Sequence, residues 1–119
     1  SDAHRVLLVE LLSWRLRYLT AQHEYHLAVA KTLSGLPREE WIARVETVVI
    51  LSQSLVAKLL PVLDIVQNSG IGRRIRTLLA DWTQSVRSLV ANLRNWGLAS
   101  AQAARVLEWA IDNGLDDSR

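Results

Sequence analysis

Hydrophobic residues recur at helical spacing along nearly the whole chain. An α-helix turns by about 100° per residue, so residues three, four and seven positions apart share one side. This periodicity predicts a helix over residues 3–33, a second over 37–67, a third ending near Trp96, and a short fourth from Ser100 to about Asn113. The segment 45–51 is rich in valine, but the surrounding helical periodicity favours a helix there over a strand.

Glycine and proline mark the breaks between these helices. Gly35 and Pro37 suit the end of one helix and the first turn of the next, and Gly97 and Gly114 suit helix ends. We therefore expect one all-α domain over residues 1–119, an up-down-up-down bundle of three long helices and one short C-terminal helix. Pro61 lies deep inside the second helix and is expected to kink it, because proline removes a backbone donor.

The first helix carries polar residues within its apolar side. One stripe is predicted to face water, and its members are Glu10, Ser13, Arg17, Thr20, Glu24 and Lys31. The opposite band contains Leu8, Leu11, Leu12, Leu19, Val29, Ala30 and Leu33, flanked by Trp14, Tyr18 and Tyr25. Arg15, Gln22 and His26 project from this band, where an unpaired charge or amide would cost several kcal/mol.

These inward polar groups have two interpretations. They are either satisfied by backbone, by carboxylates or by each other, or they line an internal pocket that holds a small anion. The candidate ligand-binding residues are Arg15, Gln22, His26, Arg44 and Lys58. Fixed positive charge in such a pocket could also catalyse a simple isomerisation. That arrangement resembles the all-α chorismate mutases in architecture only, and it transfers no residue role to this chain.

The second and third helices differ in their patterns. The second has a narrow polar side formed by Glu39, Glu46, Gln53, Asp64 and Gln67, so we expect it to be either the most enclosed helix or one that meets another chain. The third has a clean seam in which apolar residues recur at alternating spacings of four and three. That seam comprises Ile71, Ile75, Leu78, Trp82, Val86, Leu89, Leu93 and Trp96.

The fourth helix suggests a contact surface. Trp109 falls on its polar side, near Arg105, and an outward tryptophan is a common anchor in protein interfaces. Two alternatives are that Trp109 covers a neighbouring hydrophobic edge or that it stacks on Arg105. Trp109 and Arg105 are therefore candidate partner contacts.

Composition and charge narrow the functional classes. The net charge of +2 is mild, and aromatic residues do not alternate with the arginines of the third helix, so nucleic-acid binding is not expected. Binding to a membrane surface is less favoured than protein binding, because it is suggested only by three arginines that share one flank of the third helix, Arg76, Arg87 and Arg94. The chain has no cysteine, which excludes disulfides and thiolate metal sites. Phe, Met and Cys are all absent, which is compatible with engineering or with a strongly biased genome.

The chemistry-bearing residues do not form a recognisable catalytic set. His23 and His26 lie three residues apart, but His23 is predicted to lie towards the water-facing side and His26 to point inward, and no second helix supplies a Glu-x-x-His partner for a metal. We expect no catalytic residue, metal or cofactor. The sequence favours a helical interaction module that binds a protein partner or itself, with a small-ligand binder or simple enzyme as the alternative.

Overall fold

A computed structural model describes residues 2–32, 38–66 and 69–116. They form four α-helices, namely α1 (Asp2–Thr32), α2 (Arg38–Ile65), α3 (Gly70–Asn95) and α4 (Ala101–Asp112). No strand occurs in these three ranges. The predicted all-α bundle with three long helices and one short one is confirmed. Gly35 and Pro37, predicted to form the first break, lie outside the described residues.

The helices pack into an elongated body of 51 × 25 × 18 Å. α1 packs against α2 and α3, and α4 packs against α2 and α3. Arg74 forms an ion pair with Glu10 at 2.9 Å, and His23 Nδ1 lies 3.3 Å from Ser85 Oγ. These two contacts occur in the same order along both helices, so α1 and α3 run in the same direction.

α3 contributes more to the core than its neighbours do. Its buried apolar residues are Ile75, Leu78, Leu79, Trp82, Val86, Leu89, Val90 and Leu93. The seam predicted for this helix is confirmed over its central part, and Ile71 and Trp96 are partly buried at its two ends. Because apolar residues occupy one side of α3 and arginines the other, its periodicity indicated the correct buried face.

Local hydrogen bonds explain where α3 and α4 begin and end. The Ser69 and Ser100 side chains accept hydrogen bonds from Gly72 N and Ala103 N, which makes them N-caps. At the end of α3, Gly97 has a φ of 70° and Leu98 N donates to Leu93 O at 2.8 Å. Gly114 and Leu115 repeat this arrangement after α4. The predicted cap at Ser100 and the two glycine helix ends are confirmed.

α2 is less enclosed than the first of its two predictions, which made it the most enclosed helix of the bundle. Only 28% of its most apolar 18-residue window is buried, and Leu51, which is not a member of the predicted polar side, is 49% exposed. Glu46 and Gln53, expected on the polar side, are half-buried. The helix continues through Pro61, and the expected kink there stays a prediction.

The predicted water-facing side of α1 is confirmed for Arg17 and Glu24, which are exposed, but it is wrong for Glu10, Ser13 and Thr20. Ser13 is buried, and Glu10 and Thr20 are half-buried, whereas Leu8 and Leu11 on the opposite side are more than half exposed. Apolar residues surround this helix on nearly all sides, so periodicity alone did not distinguish the side that packs from the side that faces solvent.

Candidate functional site

The most distinctive surface of the molecule lies on α1. Six large apolar or aromatic side chains of α1 are each more than half exposed, and all of them except Leu8 lie along one line of the helix. We call the five on this line the outer face of α1, and its members, with their exposed fractions, are Leu7 (57%), Leu11 (59%), Trp14 (64%), Tyr18 (58%) and Tyr25 (65%). Single exposed apolar residues are ordinary, but a contiguous group on one helix indicates a contact surface.

The outer face of α1 is a straight seam. Its members follow spacings of four, three, four and seven residues, the spacing that keeps side chains on one line along a helix. Ala21 and Ala28 continue the same line and are also exposed. The buried residues of α1, such as Val9, Leu16 and His23, lie on the opposite side of the helix. α1 therefore has one apolar side in the bundle and a second one facing outwards.

Polar groups border the outer face of α1 and orient its aromatic rings. The Arg17 guanidinium carbon lies 5.3 Å from the centroid of the Trp14 ring, within the range of a cation–π contact. Gln22 Nε2 donates to Tyr18 Oη at 3.2 Å. These contacts leave the surfaces of both rings largely exposed, so they position the aromatic side chains without covering them.

The five predicted ligand-binding residues differ in their exposure to solvent. Arg15, Arg44 and Lys58 are exposed, and Arg44 pairs with Glu40 at 2.8 Å. Gln22 and His26 are half-buried. The predicted inward orientation of Arg15 is wrong, because the buried side of α1 is rotated away from this residue.

His23 was predicted to lie towards water, but it is buried. It is 1% exposed, and its Nδ1 lies 3.3 Å from Ser85 Oγ, while Nε2 has no hydrogen-bond partner among the described residues. Burial lowers the pKa of His23 to about 4; the backbone of Val48 partly opposes this shift, and His26 adds to it. The imidazole is therefore neutral near pH 7.

His26 titrates in a different environment. Burial lowers the pKa of His26, and the positive charge of Arg44 lowers it further. Its ring packs edge-on against Tyr25, with ring centroids 5.9 Å apart. Among the described residues, no group of three or more histidine and carboxylate side chains could hold a metal ion.

An open groove of about 870 Å³ runs between α1 and α3. Both walls carry both signs of charge: α1 contributes Arg17 and Glu24, and α3 contributes Arg73, Arg74 and Asp81. Hydroxyl and amide side chains supply most of the remaining lining, from Thr20, Thr77, Gln84, Ser85 and Ser88. The pattern of the sequence does not predict this groove, because the groove depends on which sides of α1 and α3 meet.

Trp109 does not project outwards as predicted. It is half-buried and packs edge-on against Trp82, with ring centroids 6.3 Å apart. The alternative that Trp109 covers a hydrophobic edge accounts for its position, because it packs against the core. Arg105 is exposed on α4. In the sequence, Trp109 directly precedes Ala110 and lies three residues after Val106, and both of these residues are buried. This spacing could have indicated that Trp109 lies at the edge of the buried side of α4.

α2 adds a second exposed apolar region. Ile50, Leu51 and Ile65 are 44%, 49% and 63% exposed. In the described part of the chain, the segment Glu39–Ile65 is the one helix long and apolar enough to cross a membrane by length and composition. A core helix of a soluble protein can pass the same test, so this property alone does not assign a location to α2.

Comparison with protein-family models, with curated proteins and with solved structures gives no match to this chain.

Proposed function

We propose that this chain is a helical interaction module that binds a protein through the outer face of α1. The observation that carries the proposal is the seam of five exposed apolar and aromatic side chains on one side of a 31-residue helix. Such a seam typically packs against another helix, because the repeat of four and three keeps both helices in contact along their length.

The composition of the outer face also supports protein binding. Aromatic side chains are enriched in protein interfaces, and Trp, Tyr and Arg are the residues most often found to dominate binding energy. Three aromatic rings stand in this seam, and Arg17 lies over one of them. Covering them would release apolar surface from water at roughly 25 cal/mol per Å².

Site-specific photo-crosslinking tests this proposal. Benzoylphenylalanine would replace Trp14 in cells that make the protein, and a matched variant would carry it at Ala91, an exposed position on α3. We expect discrete cross-linked protein species from position 14 and none of these species from position 91. Equal cross-linking from both positions, or none from position 14, would reject the outer face of α1 as the binding surface.

The small-ligand alternative is not proposed. It required Arg15 and His26 on the wall of an internal pocket, and Arg15 is exposed. The α1–α3 groove is also a weak anion site, because carboxylates stand among its arginines.

A further inference from the structure

We infer that the partner of the outer face of α1 is a second copy of this chain, with the two α1 helices packed antiparallel. This inference rests on the proposed function and adds the identity of the partner and its orientation. It follows from the order of large and small side chains along the seam, from the row of charges beside it, and from the area that it offers.

The side chains of the seam are large in its N-terminal part, whereas its C-terminal part includes small ones. Leu11, Trp14 and Tyr18 fill the N-terminal part, whereas Ala21 and Ala28 alternate with Tyr25 in the C-terminal part. A parallel pair would oppose each residue with itself, so that Trp14 would meet Trp14 and the two Ala21 methyls would leave a gap. Close packing favours large side chains opposite small ones.

An antiparallel pair satisfies this requirement. With the twofold axis between residues 19 and 20, Tyr18 faces Ala21 of the second copy and Leu11 faces Ala28 of the second copy. Trp14 then meets Tyr25 of the second copy, an aromatic pair of the kind that adds to the energy of buried area. The overlap extends from Leu7 to Thr32, roughly 39 Å at ~1.5 Å per residue.

The charges beside the seam fit the same alignment. Glu10, Arg17 and Glu24 lie seven residues apart along the border nearest α3, with alternating sign. The antiparallel alignment places Arg17 beside Glu24 of the second copy, and symmetry generates this pair twice. Within the described chain neither Arg17 nor Glu24 takes part in an ion pair. Arg17 contacts the Trp14 ring, but its N–H groups have no carboxylate partner there, so both charges can pair with a second copy.

The exposed area of the outer face of α1 approaches the area that a stable interface buries on each partner. Three aromatic side chains of ~150–250 Å² each, about 60% exposed, supply roughly 300–450 Å². The exposed leucines and the stems of the bordering residues bring this total towards the ~800 Å² per partner of a standard interface. An isologous twofold contact of this kind is the commonest form of association among soluble proteins.

Sedimentation equilibrium tests the association itself. We expect the wild-type chain to sediment as a dimer at high concentration and Leu11→Glu to sediment as a monomer, because the substitution places a carboxylate in the seam. Ala91→Glu is the matched control, with the same new charge at an exposed position on α3, and should remain dimeric. Circular dichroism should show that both variants keep the wild-type helix content.

Disulfide trapping tests the orientation, and the absence of native cysteine makes it specific. A mixture of Leu11→Cys and Ala28→Cys chains should form a cross-linked heterodimer on oxidation. Each variant alone should form none, since like positions would stand ~25 Å apart, beyond the reach of a disulfide. Efficient cross-linking of each variant with itself would overturn the antiparallel arrangement.

Charge reversal tests the register. Arg17→Glu and Glu24→Arg should each raise the dimer Kd about tenfold or more, because like charges would then stand beside each other. The double variant Arg17→Glu with Glu24→Arg should return the Kd to near the wild-type value. Failure of the double variant to restore the dimer would overturn this register.

The outcomes separate this inference from the proposed function. A wild-type chain that stays monomeric at all concentrations would overturn self-association. If position 14 still cross-links to a different protein, the interaction module stands and only the second copy is rejected. Sedimentation of a monomer with phospholipid vesicles, abolished by Leu11→Glu, would instead replace the second copy with a membrane surface.

Discussion

At the scale of single residues, His23 has the clearest consequence for stability. Its ring is buried where α1 meets α2 and α3, and its pKa falls from 6.5 to about 4 because burial disfavours the charged form. In the unfolded chain the same imidazole takes up a proton near pH 6.5. The unfolded state therefore binds more protons than the folded state between these two pH values.

We predict that the free energy of unfolding decreases as the pH falls from about 6.5 to about 4. The lowered pKa corresponds to about 3 kcal/mol of stability, which is fully present above pH 6.5 and fully lost below pH 4. Urea unfolding followed by circular dichroism across this range would measure it. His23→Leu should remove this part of the pH dependence.

Ser85→Ala is the matched control for this experiment. It removes the hydroxyl 3.3 Å from His23 Nδ1 but leaves the imidazole buried, so the pH dependence should remain. An equal loss of stability in wild type and His23→Leu would show that carboxylates, and not His23, produce the acid sensitivity.

Residue-level predictions from the sequence failed on helices whose apolar arc is wide. Arg15 was expected inside and is exposed, and Trp109 was expected outside and packs on Trp82. Both errors come from helical wheels with a wide apolar arc, in which a rotation of one residue exchanges the packed side and the open side. The position of His23 was missed for the same reason.

At the scale of helices, the ends were more predictable than the packed faces. After α3, Gly97 N donates to Arg94 O and Leu98 N donates to Leu93 O, the two bonds of a Schellman motif. Gly97 takes a left-handed φ of 70°, which side chains with a Cβ adopt only at a cost. Glycine at such positions is a strong local signal, so sequence alone located both helix ends.

We predict that Gly97→Ala lowers the free energy of unfolding by about 1–2 kcal/mol, because alanine is strained at that φ. Gly70→Ala is the matched control: no atom lies within 4 Å of an added Cβ there, and alanine suits a helix. Its effect should stay within about 0.5 kcal/mol. Equal destabilisation by the two substitutions in urea titrations would contradict this account.

The contrast between α3 and α1 shows what periodicity can and cannot decide. α3 has one apolar side, from Ile75 to Leu93, and its buried face was predicted correctly. α1 has two apolar sides, with Leu16 and Leu19 inside and Leu11 and Trp14 outside. Only the packing of the whole bundle determines which of these sides is covered, and that information is not local to the helix.

At the scale of the whole molecule, the unburied apolar surface links association to stability. A ligand or second copy that binds only the folded state stabilises that state by mass action. We predict that the Tm of the wild-type chain rises with protein concentration. The Tm of Leu11→Glu should be independent of concentration, as measured by thermal scans over the same range.

Ala91→Glu again serves as the comparison, because it adds the same charge away from the outer face of α1. Its Tm should follow concentration as the wild type does. A Tm that is the same at every wild-type concentration would contradict coupled folding and association.

The five tryptophans differ sharply in their surroundings. Trp41 and Trp82 are buried, Trp96 and Trp109 are partly buried, and Trp14 is 64% exposed. Acrylamide should therefore quench the red-shifted emission of Trp14 before that of the others. Any molecule that settles on α1 would shield this one fluorophore and shift its spectrum to the blue, so the chain contains an intrinsic optical reporter for its own binding partner.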